Sequence, residues 1–345
     1  MTNAYRAVQW NRHKRSYDLV VGGAVVAMIA AFVGGSIAFA APPDDVSPEI
    51  LVIRALGATA GALLTVLLCI GPLARLDRRA LPLLYNRRHL GVTTALLATG
   101  HGLLATVWYH GFGVVDPIVS LLSSGSEGPG VPFQPLGLAA LLALLALAST
   151  SHDFWLHILG PVVWKRLHML VYPAWLMMVA HVAFGTMQTD DAGVVPTLLG
   201  VAVASVCGLH LFAGARARAA DAERAELRDG WLDAGLAREL PDGGAVRVCQ
   251  DPDHPIAVFR DGDAVSAIAG VCAHQGGPLA EGRLVDGCVT CPWHGDQYRP
   301  RDGQSPPPYT EKLHTHRVRI RDGRVEVDPR PQPPGTPLEP ARIPS

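Results

Sequence analysis

Cys272-Ala-His274 and Cys291-Pro-Trp-His294 decide how this chain is read. The pairs, C-x-H and C-x-x-H, are separated by residues 275–290. Two thiolates and two imidazoles so arranged can hold a 2Fe–2S cluster, the thiolates on one iron and the imidazoles on the other. Imidazole is neutral where thiolate is anionic, so this cluster is easier to reduce than an all-cysteine one. The chemistry expected is single-electron transfer. A structural zinc site is the alternative, but zinc prefers CxxC or HxxxH-like spacings, which the one-residue gap of Cys272 and His274 does not match.

The residues around these pairs form a soluble half of short strands and turns. Strands are expected at Ala245–Cys249, Ile256–Phe259, Ala264–Ile268, Cys288–Thr290, His314–Ile320 and Arg324–Val327. Asp261-Gly262, Asp286-Gly287, Asp302-Gly303 and Asp322-Gly323 are turn signals between them. A small antiparallel all-β domain over 231–328 follows. Residues 216–230 read as a charged linker helix. Seven prolines between Pro329 and Pro344 make 329–345 a proline-rich tail expected to be disordered.

The other half is different in kind. The chain has 345 residues, 49% hydrophobic and 17% charged, and its net charge of −1 gives no sign of a nucleic-acid partner. Its charges are concentrated outside residues 17–215, where the apolar runs are long enough to need a lipid environment. A bilayer core takes roughly 20 apolar residues per helix. Six spans are expected: Leu19–Ala41, Ala55–Ala74, Leu90–Tyr109, Val131–Ser149, Leu167–Gly185 and Gly193–Ala215. Ala38-Phe39-Ala40 resembles a leader cleavage site, but the run before it is far longer than the roughly 7–15 residues of a leader core. Arg6, Arg12, Lys14 and Arg15 lie in the basic tail 1–16, five arginines lie between Arg75 and Arg88, and Lys165, Arg166, Arg216 and Arg218 follow. The alternate loops 42–49, 110–130 and 186–192 carry no Lys or Arg. The bias puts both termini and the β domain on the cytoplasmic side of a bacterial-type plasma membrane. Six cysteines in so long a chain are not a disulfide framework.

Ionisable residues inside spans are costly and mark function. His101 falls in the third span, His168 and His181 in the fifth, His210 in the sixth, and His89 at the inner end of the third. At about 1.5 Å per residue, His101 lies roughly 16 Å from the inner face and His181 roughly 20 Å. These two could flank one porphyrin. His168 lies near the inner face, where its partner would be His89 or His210. Taken singly, each of these histidines could simply hydrogen-bond a neighbouring helix.

Several short motifs, in order, resemble a known family. Arg87-Arg88-His89-Leu90-Gly91, Gly100-His101, Thr150-Ser151-His152-Asp153, Trp164-Lys165-Arg166-Leu167-His168-Met169-Leu170-Val171-Tyr172 and Ala180-His181 look like the ferric-reductase-like transmembrane family over residues 17–215. Within it, the branch resembled is the haem-binding membrane subunit of the periplasmic methionine sulfoxide reductase system. The resemblance implies b-type haem, one or two, on His101, His168 and His181. After the last span the chain lacks the flavin and nicotinamide modules of the ferric reductases, which leaves its electron source open. The soluble half resembles Rieske ferredoxin domains. That implies Cys272 and Cys291 on the buried iron, His274 and His294 on the outer one, and Pro306-Pro307-Pro308 as a covering loop. The positions of the extra disulfide cysteines of cytochrome bc-type Rieske proteins hold Gly277 and Trp293 here. Tyr298 falls where those proteins have a tyrosine donating to cysteine sulfur, and Asp296 stands in place of their serine. A midpoint in the low ferredoxin range is expected.

The fold expected is multi-domain: a six-span α-helical membrane bundle, then the antiparallel β domain. The function expected is transmembrane electron transfer from an unidentified cytoplasmic donor through cluster and haem to an outer-side redox partner or a quinone. The alternative is a membrane-bound iron–sulfur redox sensor or assembly factor without turnover. An oxygenase would need a mononuclear iron on two histidines and a carboxylate, a set that His254, His314 and His316 do not supply.

Overall fold

The computed structural model describes residues 12–39, 47–80, 83, 87–124, 132–188, 193–222, 225–251, 254–273, 276–292, 295–307 and 309–344. The described residues divide into two units, one running up to Ala213 and the other from Gly214 onward.

The first unit is helical: α1 (Arg12–Phe39), α2 (Pro48–Leu76), α3 (Arg87–His110), α4 (Pro117–Ser123), α5 (Gln134–Ser149), α6 (Asp153–His168), α7 (Val171–Thr186) and α8 (Val195–Ala222). Its core is narrow. Leu64 and Leu68 of α2, Ala95 of α3, Leu144 and Leu147 of α5, Ala174 and Trp175 of α7 and Val206 of α8 form one cluster. Large apolar side chains such as Leu103, Val107, Leu142, Leu176, Val201 and Leu211 point outward. That inverted pattern suits lipid, since a soluble fold seldom exposes so much apolar surface.

Among the described residues five stretches, not the six expected, are long and apolar enough to cross a bilayer: Arg15–Ala38, Pro48–Leu76, Arg87–His110, Val163–Thr186 and Val195–Arg216. The expected fourth span is the 16-residue α5. At 1.5 Å per residue it reaches about 24 Å, short of the roughly 30 Å core. Pro135 stands at its start, and the hydroxyls of Thr150 and Ser151 turn back to the Ala146 and Leu147 carbonyls at its end. The expected fifth span begins before Leu167, in the stretch Val163–Thr186, and passes through a turn at Met169–Leu170. Pro173 causes the break, because its ring clashes with the carbonyl four residues earlier, that of Met169. The two ends are bridged by short-range bonds from Leu170 N to Leu167 O and Tyr172 N to Met169 O.

The separate linker helix expected over 216–230 is also corrected. Helix α8 runs on to Ala222, and the chain enters a sheet at Leu227. Among its described residues the second unit holds three antiparallel sheets. The first runs β1 (Leu227–Arg228), β2 (Trp231–Leu236), β11 (Arg324–Val327), β10 (Val318–Arg321). The second runs β12 (Ala341–Arg342), β5 (Ala264–Ala269), β4 (Ile256–Asp261), β3 (Ala245–Val248), with β9 (Thr315–His316) also on β5. The third is β6 (Arg283–Val285), β7 (Cys288–Thr290), β8 (Gln297–Tyr298). Asp229-Gly230, Asp286-Gly287 and Asp322-Gly323 each put two successive residues at positive φ. Such turns match the right-handed twist of a hairpin and favour Asp-Gly.

The proline-rich tail is not disordered. Strand β12 pairs Ala341 with Val265 and Arg342 with Ala264. Backbone N–H groups of Gln332, Gly335, Leu338 and Ile343 donate to carbonyls of Thr315, Leu313, Arg301 and Asp263. Proline has no N–H to offer, so the residues between the prolines make these bonds.

Candidate iron–sulfur and haem centres

The two cysteine loops are built alike. Cys272 N donates to Gly277 O at 2.8 Å, and Gly276 N returns to Cys272 O at 2.9 Å. Cys291 N donates to Asp296 O at 2.8 Å, and Gly295 N returns to Cys291 O at 3.0 Å. Each loop therefore closes with a glycine four residues past its cysteine. Those glycines have φ of +75° and +80°, conformations that side chains resist. The sequence repeats the need: both Gly276 and Gly295 follow their cysteine at that spacing.

Both cysteines are buried, and none of the six cysteines is in a disulfide. The Cys272 and Cys291 Sγ atoms and an Asp296 carboxylate oxygen lie within 4.8 Å of one another. Two thiolates so close need positive charge between them, and one iron ion fits that donor set. His274, His294 and Trp293, like Pro308 of the proline loop, lie outside the described residues. Tyr298 is wholly buried on β8, and its hydroxyl lies 3.3 Å from Cys272 Sγ. Burial, with the Cys272 sulfur beside it, raises the phenol's pKa, so Tyr298 keeps its proton and would be the donor to a Cys272 thiolate holding iron. Cys288 is buried nearby in β7, and burial raises its thiol too.

In the membrane unit the structure brings His101 and His181 together. Their ring centroids are 6.2 Å apart and their planes cross at 76°. His101 Nδ1 lies 2.8 Å from Ile53 O, and His181 Nδ1 lies 2.9 Å from Phe133 O. A carbonyl only accepts, so each Nδ1 carries the proton and each Nε2 keeps its lone pair. A hydrogen bond of this kind is how proteins orient metal-binding histidines. With nitrogen–metal bonds of about 2.0–2.1 Å and roughly 1.2 Å from ring nitrogen to ring centre, two imidazoles on opposite sides of one metal have centroids about 6.4 Å apart. The pair fits one haem iron.

The other three histidines differ. His168 stacks on Trp164 with centroids 3.6 Å apart, and its Nδ1 donates to Trp164 O at 3.0 Å. Its Nε2 is buried with no hydrogen-bond partner among the described residues, which suits a metal ligand. His210 has both ring nitrogens engaged: Nδ1 donates to Val206 O at 2.8 Å, and Nε2 accepts from the Tyr172 hydroxyl at 3.1 Å. His89 lines a cleft of about 500 Å³ between α1 and α3, its Nδ1 2.6 Å from Asp18 Oδ1. Neither is brought to His168 by any contact among the described residues.

Glycines supply what the sequence reading missed. A Cβ on Gly57 would lie 2.8 Å from His101 Nδ1, and one on Gly137 would lie 2.7 Å from His181 Nδ1. Carbonyl, glycine and histidine recur at one offset of 80 residues: 53 to 133, 57 to 137 and 101 to 181. Helix α2 on α3 and helix α5 on α7 thus repeat one device. The signal available in the sequence was this repeated spacing.

Comparisons with known proteins agree with both halves. Residues 230–317 match the Rieske [2Fe-2S] domain, and residues 56–179 match the ferric reductase like transmembrane component. The anthranilate 1,2-dioxygenase ferredoxin subunit of Burkholderia cepacia is 44% identical over 100 residues, 28% of this chain and 91% of that protein. The protein-methionine-sulfoxide reductase heme-binding subunit MsrQ of Bordetella pertussis is 30% identical over 174 residues, half of this chain and 80% of that protein. Among solved structures, the complex of reduced oxygenase and oxidized ferredoxin in carbazole 1,9a-dioxygenase matches 31% of this chain and 99% of that chain, with 29% identity and a TM-score of 0.29.

Proposed function

From a chain that belongs to the ferric-reductase-like transmembrane family over its membrane half and to the Rieske [2Fe-2S] family over its soluble half, we infer a membrane oxidoreductase that passes single electrons between the two. The observation that carries this reading is the crossed His101–His181 pair, oriented by carbonyls in a unit whose chain continues into a Rieske domain.

When bound, the 2Fe–2S cluster and b-type haem supply one-electron chemistry, which no side chain here provides. Cys272 and Cys291 would hold the inner iron of the cluster, and His274 and His294 the outer. Tyr298 donates to the Cys272 sulfur and so favours the reduced state. His101 and His181 would hold one haem, with Ile53 and Phe133 fixing their rings. His168, with its lone pair buried beside Trp164, is the ligand available for a second. The lipid-facing side chains keep water and soluble oxidants away from these residues.

The distribution of Lys and Arg favours a cytoplasmic Rieske domain, and the reading adopted takes that domain as the port of entry. Electrons then enter from a cytoplasmic donor and leave on the outer side or to a quinone. Protein reconstituted in liposomes, with the Rieske domain outward, tests this. A reduced ferredoxin-type donor added outside should reduce an impermeant acceptor sealed inside. Haem-loaded protein that binds donor but passes no electrons would leave a sensor or assembly role instead.

A further inference from the structure

We propose that Gly57 and Gly137 are positioning residues that hold the His101 and His181 imidazoles in their crossed orientation. This rests on the reading that the two histidines share one haem. The argument begins with space. Each imidazole lies against the neighbouring helix where that helix has no Cβ, and the carbonyl four residues before the glycine accepts the Nδ1 proton. A methyl at either glycine would come within 3 Å of Nδ1 and Cε1, closer than side-chain carbons approach. Either the ring must rotate or the helices must separate. Rotation lengthens the bond to Ile53 O or Phe133 O and changes the plane of the ring, now crossed at 76°.

The device occurs twice at the same offset, once per helix pair, which chance packing of a single glycine would not produce. It also differs from the other glycines of these helices. Gly91 of α3 has open space where its Cβ would be. Gly102, next to His101, is as crowded, but by the end of the Leu141 side chain at 2.7 Å. Among the described glycines, only Gly57 and Gly137 meet imidazoles.

The plane angle between axial imidazoles has a spectroscopic consequence. Crossed planes give ferric low-spin haem a strongly anisotropic EPR signal, and parallel planes a rhombic one. The test is EPR on the solubilised full chain. Wild type should show the strongly anisotropic signal. Gly57→Ala and Gly137→Ala should each move the largest g value toward the rhombic range or convert part of the haem to high spin. Gly102→Ala, equally crowded, should leave the haem signal in place. The Rieske signal reports in every sample that the soluble domain is loaded. Variant spectra that superimpose on wild type overturn the proposal while leaving the shared haem intact. Wild type without haem overturns the haem reading, and this inference with it.

Should Gly57→Ala fail to accumulate, the His101→Ala background decides. There the methyl has no imidazole to displace, so the double variant should accumulate as His101→Ala alone does. Equal loss in both backgrounds overturns the proposal.

Discussion

The Tyr298 hydroxyl lies 3.3 Å from Cys272 Sγ, inside the core cluster that also holds Cys291. The tyrosine is fully buried and keeps its proton, so it would donate to the sulfur of a Cys272 thiolate that holds iron. A donor to sulfur stabilises the extra negative charge of the reduced cluster. Tyr298→Phe removes the donor and keeps the ring. A difference of about 1.4 kcal/mol between oxidation states corresponds to roughly 60 mV for one electron. The variant's midpoint should fall by about that amount in a spectroelectrochemical titration, with the Rieske EPR signal retained.

Asp296 acts in the opposite sense. Its carboxylate lies within 4.8 Å of both cysteine sulfurs, and negative charge there disfavours reduction. Asp296→Asn should therefore raise the midpoint, and wild type should titrate below about +100 mV, in the lower part of the Rieske range. A wild-type midpoint well above that, or a fall in the asparagine variant, would contradict this balance.

The histidines should separate into three classes. His101→Ala and His181→Ala should each abolish the same haem, because the two rings face one another at 6.2 Å. His168→Ala should remove a distinct haem or none of the first. His89→Ala and His210→Ala should retain the full haem complement, since these rings are engaged with Asp18 and with Tyr172 and Val206. Pyridine haemochrome content per chain measures all five.

What could be read without coordinates follows a physical line. Depth along a helix is fixed by rise per residue, so the common level of His101 and His181 was accessible from their distance to the inner face. The approach of Cys272 to Cys291 was accessible because ligand spacing is local. Orientation within the bundle was not. Whether His210 faces a porphyrin or Tyr172 depends on a residue 38 positions away. Gly57 and Gly137 appear as ordinary glycines in apolar runs until the imidazoles beside them are located. The break at Met169–Leu170 was legible from Pro173, but hydropathy alone runs through it. The tail misled for a different reason. Proline content correlates with disorder, yet prolines here alternate with residues whose N–H groups reach the domain.

That alternation makes the tail a structural strap, and its removal a test. A chain ending at Asp328 loses four backbone hydrogen bonds from Gln332, Gly335, Leu338 and Ile343, together with the Arg342–Asp263 and Arg301–Glu339 ion pairs. At roughly 0.5–1.5 kcal/mol per hydrogen bond, the Rieske domain should lose about 3 kcal/mol. Melting followed by the cluster's visible circular dichroism should show this as a clear fall in Tm.

The same corner sets an acid limit on stability. His316 is buried next to the residue that precedes the strap, its Nδ1 donating to Asp328 O at 3.0 Å. Burial pushes its pKa below the ordinary 6.5. The unfolded chain therefore takes up this proton first as pH falls, and stability drops from about pH 6.5 downward until the folded imidazole is also protonated. Asp328 acts lower on the scale. The Arg330 hydrogen bond holds its carboxyl below the usual range, so its contribution is present above about pH 4 and lost as pH falls through the folded value. Melts of the full chain between pH 7.5 and 5.5 should thus show a falling Tm while Asp328 stays ionised. His316→Gln keeps a donor near the Asp328 carbonyl without a titrating ring, and should flatten that slope. An unchanged slope in the variant would assign the acid sensitivity to another group.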